Sequence, residues 1–451
     1  MKNPLPFFRQ IASAQARSVP FRRTSLTVRL TQHGLPAVAL LAVAVVTVMA
    51  VDLRAETPVP AGMPETSEKP ATGSGRVPLV APRPGSLRLV RERIQPEDVQ
   101  RHIEWLASPQ LAGRSGEGAR IASSRIAEWF SQCGLQPLFP GSSWFQDIPG
   151  PSRDGNPTIA GRNVGGWIRG SDPVLQHEFV IVSAHYDHLG IRNGQIYPGA
   201  DDNASGTSMM LEVARHLGKT KQRPRRSVVF VGFDLEERML WGSRWFAAHP
   251  PWPIEQVCCF ITADMIGRSL GDLPLPTVFV MGSEHSAQLR QALDTVPVPT
   301  GLEAARLGID LVGTRSDYGP FRDREIPFLF FSTGEHPDYH TPQDVPDRVN
   351  FEKVAKVSSL VLSLTEQVAS SDVRPVWQQI EGPDLEEARA IHRISELLLN
   401  VQGRNQLNGV QRLLVSHARG KTSSILERGE MTLAERGWLI RTAQLMLLSV
   451  F

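Results

Sequence analysis

Cysteine is scarce in this sequence, which holds only Cys133, Cys258 and Cys259. An odd count that includes an adjacent pair makes neither a disulfide framework nor a thiolate metal site. The run VCCFITAD instead reads as a buried strand in which cysteine behaves as a small hydrophobe. A charge excess is missing too. The 48 basic residues are set against 46 acidic ones, leaving a formal charge of +2, too little for a nucleic-acid surface or a strong steering field. No internal repeat or coiled-coil heptad is visible. What remains is the composition of an ordinary globular protein, 41% hydrophobic over 451 residues, enough for one large domain with smaller appendages.

Acid is absent from the first 34 residues, which carry Lys2, Arg9, Arg17, Arg22, Arg23 and Arg29. The apolar run Leu35 to Val51 comes next. It is short for a membrane helix, which needs about 20 residues, and long for a signal-peptide core of about 7–15. Residues 1–55 are therefore a signal peptide, with Ala50 or Ala55 as a small residue for cleavage, or a signal anchor. Either reading exports the rest of the chain to the periplasm, the exterior or the outward face of a membrane, with the basic flank left in the cytoplasm. The pair Arg22 and Arg23 lies too far from the apolar run to make more than a weak twin-arginine match. Residues 56–90, with seven prolines between Pro58 and Pro84, read as an extended linker without fixed structure.

The spacing of apolar residues predicts helices in PEDVQRHIEWLA and ARIASSRIAEWFSQCGL, the second stopped by Gly134. From 178 to 331, the short apolar runs EFVIVSAH, RSVVFVGF, VCCFITAD, PTVFVMG and PFLFFS alternate with helical stretches. That is the α/β pattern of a mostly parallel sheet with helices on both faces, taken here as a domain over residues 91–372. In such sheets a ligand site lies beyond the carboxyl ends of the strands. Residues 373–451 form a small helical appendage, with Asp384 and Glu387, and Thr432 and Glu435, spaced as capping boxes. The appendage either packs on the main domain or serves dimerisation, and the oligomeric state is left open.

Metal-type side chains crowd just after the predicted strands, in AHYDHLG, VFVGFDLEER and ITADMIGR, and in the segments YPGADDNASG and EHPDYHTPQD. A lone histidine at a strand end is usually structural, and an Asp pair before a helix is usually a cap. Five such segments in one sheet point to a shared site.

With these segments, and with LASPQLAGRSGEGARIASSRIAEWFSQCGLQP and RNVGGWIRG upstream, the chain resembles the di-zinc aminopeptidase family from about Leu106 to Val357. That family is related to secreted bacterial leucyl aminopeptidase, glutamate carboxypeptidase and glutaminyl cyclase. The resemblance implies a three-layer zinc-peptidase sandwich and two Zn²⁺ ions, with Mn²⁺ or Co²⁺ as substitutes. His185 and Asp264 are implied to bind one ion, Glu237 and His340 the other, and Asp201 both, leaving room for a shared water. Asp187 is implied to orient His185. A cis peptide is implied between Asp201 and Asp202. Glu236 is implied to act as general base on the water that attacks the peptide carbonyl, and to return the proton to the leaving amine. RSDYGPF matches a segment beside the substrate cleft, making Asp317 and Tyr318, with Asp202, candidates for the substrate pocket. His188, His336 and Asp338 are implied to line the site without binding metal, and Arg268 to be a structural partner.

The expected reaction is removal of residues from the amino terminus of peptides or proteins. Arginines that grip a terminal carboxylate are not clustered in the metal motifs, which hold only Arg238 and Arg268. Carboxypeptidase action, a single-metal glutaminyl cyclase and a non-catalytic binding module are the competing readings. Retention of His185, Asp187 and Asp264 argues against the cyclase, and the intact ligand set with Glu236 argues against the binding module. One departure stands out. The family usually has glycine just before the glutamate pair and again soon after it, whereas this chain has Leu235 and then Arg238, Met239 and Leu240. The interval between Gln146 and the first sheet strand is also too short for the extra domain some relatives insert.

Overall fold

The computed structural model describes residues 93–153, 155–379, 382–402 and 407–450. The basic leader, the apolar run Leu35 to Val51 and the Pro-rich linker lie outside these residues. No helix among the described residues is long and apolar enough to cross a membrane.

The fold opens with α1 (Pro96–Leu106) and α2 (Glu117–Gln132). Pro96 presets the first helical φ of α1, and Val99, Ile103 and Leu106 recur along its buried face. Past the end of α2, Gly134 takes φ +81°, a left-handed conformation that glycine adopts without steric cost. The chain continues through β1 (Gln136–Pro137), β2 (Phe145–Arg153), β3 (Asn156–Ile168), β4 (Phe179–His185), β5 (Gly190–Arg192) and β6 (Gln195–Tyr197) to α3 (Gly206–Lys219). Next come β7 (Ser227–Phe233), α4 (Trp241–Ala248), β8 (Val257–Ala263), β9 (Thr277–Met281), α5 (Ala287–Thr295), β10 (Glu303–Leu307), α6 (Gly319–Arg322) and β11 (Phe328–Ser332). Four helices finish it: α7 (Phe351–Ser370), α8 (Leu385–Asn400), α9 (Gly409–Arg428) and α10 (Leu433–Val450).

The main sheet runs β1-β3-β7-β4-β8-β11-β9-β10, with β2 paired to β3. Its heart is the parallel set β7, β4, β8 and β11. The flanks are antiparallel: β3 to β7 on one side and β9 to β11 on the other. The sheet is thus mixed around a parallel core. β4, β7 and β8 are buried along their whole length. Alternate side chains feed two cores: Val180 and Val182 join one with Phe130, Met209 and Val361, while Phe179 and Ile181 join another with Phe246 and Phe321. Both faces are therefore covered by helices, as an α/β sheet buried on both sides requires. Cys258 and Cys259 lie buried and unpaired in β8, and Cys133 is buried after α2.

The carboxyl-terminal helices lie against the edge of the sheet, with α8 on β10. Arg436 of α10 donates to both oxygens of Asp310, at 2.7 Å each, and to Glu387 of α8 at 2.6 Å. Glu387 also accepts from the backbone N–H of Gly308. Its carboxylate is thus committed to tertiary contacts, and Asp384 caps α8 alone by accepting from Glu386 N–H. At α10 the reciprocal box does form, between Thr432 and Glu435.

Candidate metal centre and active site

The parallel strands all deliver polar side chains at their carboxyl ends. His185 is the last residue of β4, Asp234–Glu237 follow β7, Asp264 follows β8, and His336–His340 follow β11. The turn Ala200–Ser205 enters α3 between them.

Asp202 stands at the centre. Its Oδ1 is 3.4 Å from His185 Nε2, and its Oδ2 is 3.2 Å from His340 Nε2 and 3.7 Å from His188 Nδ1. His185 Nε2 also lies 3.3 Å from Asp264 Oδ1. Glu237 places Oε2 3.2 Å from His340 Nε2 and Oε1 2.8 Å from His188 Nδ1. Two donor triads result, His185–Asp202–Asp264 and His188–Asp202–Glu237, each with its ligand atoms within 4.8 Å of one another. They share Asp202.

This corrects the expectation for the aspartate pair. Asp201 turns its carboxylate away from the cluster, accepting from Gly267 N–H at 2.6 Å and facing His336 Nε2 at 3.4 Å. Asp202, not Asp201, is the aspartate that both triads share, and it also lines the adjoining cavity, as its place among the substrate-pocket candidates requires. The cis peptide falls between Asp202 and Asn203, one residue later than expected. His188, expected only to line the site, is drawn into the donor set. Its ring is wedged against Gly199, where a Cβ would come within 2.5 Å of the imidazole.

The surrounding residues fix these donors. Asp187 Oδ1 accepts the backbone N–H of Glu236 at 3.1 Å and lies 3.6 Å from His185 Nδ1. Glu236 sits beside the first triad, its Oε2 4.0 Å from His185 Nε2. Burial pushes the Glu236 carboxyl well above the usual range, against the pull of His185. Burial opposes charge on His185 too, but Asp264 and Glu236 outweigh it and hold the imidazole well above its ordinary value. For Asp202 the imidazoles of His188, His185 and His340 overcome burial and keep the carboxyl well below its ordinary value. His340 is pushed up to about 10 by Asp202 and Glu237, despite burial. The cluster thus packs carboxylates faster than it supplies positive charge.

Imidazole and carboxylate donors at this spacing suit zinc. Asp202 Oδ2, Glu237 Oε1 and both ring nitrogens of His188 are buried without a hydrogen-bond partner, as are Asp201 Oδ2 and both ring nitrogens of the adjacent His336. Buried polar atoms are rarely left so. The residues present therefore fit two ions.

Residues 163–365 match the model of peptidase family M28. This chain carries a peptidase family M28 domain. It is 27% identical to Aminopeptidase YwaD of Bacillus subtilis over 44% of this chain and 43% of that protein. It is 26% identical to human Endoplasmic reticulum metallopeptidase 1 over 43% of this chain and 21% of that protein. The match thus spans less than half the length of either relative. Among solved structures, a zinc aminopeptidase from Bacillus subtilis aligns over 64% of this chain and 100% of its own, with 16% identity and a TM-score of 0.49.

Two buried residues that sequence reasoning did not single out hold the site together, Arg114 ahead of the matched residues and Asp344 within them. Arg114, fully buried, donates to the carbonyls of Tyr186, Leu106, Gly199 and Asp202 at 2.7, 2.9, 2.8 and 3.3 Å, and to that of Pro198. One guanidinium thereby ties the end of α1, the segment after β4 and the Asp202 turn together. Asp344 accepts the backbone N–H groups of Asp201 and Asp202 at 3.0 Å. Both lie in segments that carry the family resemblance, but nothing local marks either side chain as buried.

Of the remaining expectations, Arg268 pairs with Asp272 and Asp338, and Asp338 also with Arg348, so these are structural links. Tyr318 does not face the cleft. It is buried against Phe328, and its hydroxyl donates to Gly313 O and accepts from Arg315 N–H. Asp317 is buried, its carboxyl pushed up to about 7 by burial, and does not line the cavity that opens on the metal centre.

Proposed function

We propose that this chain is an exported zinc aminopeptidase. The observation that carries the reading is the position of Asp202 between two donor groups, with Glu236 beside them and facing the adjoining cavity. His185 and Asp264 would hold one ion, Glu237 and His340 the other with His188 alongside, and Asp202 both. Two zinc ions so held would supply Lewis acidity to a peptide carbonyl and make water a stronger acid.

Glu236 is the carboxylate left over for proton transfer. It takes no part in either donor triad, yet it lines the cavity together with Asp202 and Asp264. It would accept a proton from the attacking water and return it to the leaving amine. Asp187 positions the backbone of Glu236 and the ring of His185. With zinc bound, the carboxylate oxygens of Glu236 and Asp264 that line the cavity would be acceptors for a substrate's free α-ammonium group. The acid-free basic leader and the apolar run Leu35 to Val51 support export.

The experiment compares one peptide in free, amino-acetylated and carboxy-amidated forms with the zinc-loaded protein. Release of the first residue from the free and amidated forms, with the acetylated form resistant, is the expected result. Cleavage of the acetylated peptide from its carboxyl end would overturn the aminopeptidase assignment. Glu236→Gln is expected to keep its metal and lower turnover by roughly a hundredfold or more. Wild-type turnover in that variant would remove Glu236 from the mechanism.

A further inference from the structure

From Asp202, Glu236 and Asp264 a cavity of about 830 Å³ extends away from the metal centre. Its floor is the main domain, with Phe279 and Met281 of β9 and Phe330 of β11. Its roof is the helical appendage, with Ile394 and Leu398 of α8 and Val415 of α9. The chamber is therefore made jointly by the two parts, and the main domain alone would present only an open apolar floor.

Charge inside the chamber is sparse. Apart from the three catalytic-centre carboxylates, the charged lining residues are Asp310, Arg315 and Glu335. Asp310 is held by Arg436, and Arg315 and Glu335 face each other at 3.3 Å, with 64% of the Arg315 side chain in solvent. The rest of the wall is mainly aliphatic and aromatic, with Ser332, Tyr339, Ser395, Thr442 and Gln444 as its polar members. A charged substituent would lose its water there with few partners to replace it.

The size excludes a pocket shaped for one side chain. At about 30 Å³ per water-sized group, the chamber has room for on the order of twenty-five such groups, against the four carbons of a leucine side chain. Because the cavity begins at the reacting carboxylates, its occupant must be attached next to the bond that is cleaved.

We propose that the chamber receives a long unbranched aliphatic chain on the acyl side of the scissile amide, so that the substrate class is lipid-like. The proposal rests on the hydrolase reading of the metal centre for its catalytic half, while its binding half stands independently. The helical appendage is then a wall that sets specificity.

Two measurements separate these halves. The first follows kcat/KM of the zinc-loaded protein on 2-aminoacyl p-nitroanilides with linear side chains of two to ten carbons. The expected result is a rise of about fourfold per added methylene, continuing past the length of a natural side chain. The second is calorimetric binding of hexanol, octanol and decanol to the metal-free protein, whose Kd should fall by a similar factor per methylene. Ile394→Trp and, independently, Leu398→Trp should weaken decanol binding at least tenfold in protein whose melting transition shows that it is folded. A rate optimum at four carbons, alcohol binding without chain-length dependence, or decanol binding unchanged in both folded variants would overturn the proposal. Length-dependent alcohol binding without cleavage of any anilide would sustain the chamber and defeat the hydrolase reading.

Discussion

Leu235, Met239 and Leu240 all take positive φ, at +58°, +64° and +60°, in the loop that carries Glu236 and Glu237. A bulky side chain in this region crowds its own backbone, at about 1–2 kcal/mol per residue. Leu235 and Leu240 offset that cost by burial, at 6% and 8% exposure, but Met239 is 78% exposed. Met239→Gly should therefore stabilise the fold by about 0.5–1 kcal/mol once glycine's greater unfolded-state freedom is allowed for, measured by urea unfolding. A destabilised variant would mean that the Met239 side chain has a contact role. The backbone thus keeps left-handed turns at places where the resembling family usually has glycine. This explains why the ligands survive a loop sequence that departs from the pattern. The same scale limits what a sequence can say about the Asp pair. In regular structure, adjacent side chains point in predictable directions, but Asp202 at φ −103° and ψ 94° and Asn203 at φ −128° and ψ 48° both break the helical turn. Which carboxylate faces inward depends on those dihedrals and on Asp344 and Gly267, which hold the backbone of both aspartates and the carboxylate of Asp201. None of this can be read from ADDN.

At the scale of elements, β4, β7 and β8 were legible because strands buried on both faces read as unbroken apolar runs. The long β2–β3 hairpin was not, since its strands carry Pro149, Pro151, Pro157 and several glycines, and its pairing has register shifts. EAARL is rich in helix-favouring residues, yet it forms β10 because it pairs in parallel with β9. Beyond β9 and β10 the loops are joined by Glu284, which accepts from Gly282 N–H at 2.9 Å and Ile309 N–H at 2.7 Å. Burial, reinforced by Glu387, raises its carboxyl from the ordinary 4.5 to about 7. Between these values the unfolded chain gives up a proton that the folded chain keeps. The contribution of Glu284 is thus fully present below pH 4.5 and is lost as pH rises through 7. Glu284→Gln cannot ionise and should erase that loss. Relative to the variant, wild type should lose on the order of 2–3 kcal/mol between pH 5 and 8, measured by unfolding both proteins at each pH. Parallel pH curves would show that Glu284 ionises normally in the fold.

Across the whole molecule, the helical appendage is joined to the M28 domain through a compact ion network. Removing Arg436 leaves Glu387, only 6% exposed, without its cation. Arg436→Met should destabilise the protein by roughly 2–4 kcal/mol, discounted from the fully buried case because Asp310 is partly in solvent, and should speed proteolysis ahead of α8. Equal stability and protease resistance would place the appendage's attachment in its apolar contacts alone. The helices of this appendage were legible from their periodicity and from Thr432 and Glu435. That they roof a chamber was not, because it depends on β9 and β11 lying beneath them. The central claim is that Asp202, not Asp201, is shared by two zinc ions. Anomalous diffraction at the zinc edge from crystals of the zinc-loaded protein tests it most directly. The account predicts two peaks, one on the side of His185 and Asp264 and one on the side of Glu237 and His340, with the Asp202 carboxylate between them. A single peak, or a pair bridged by Asp201, would contradict it.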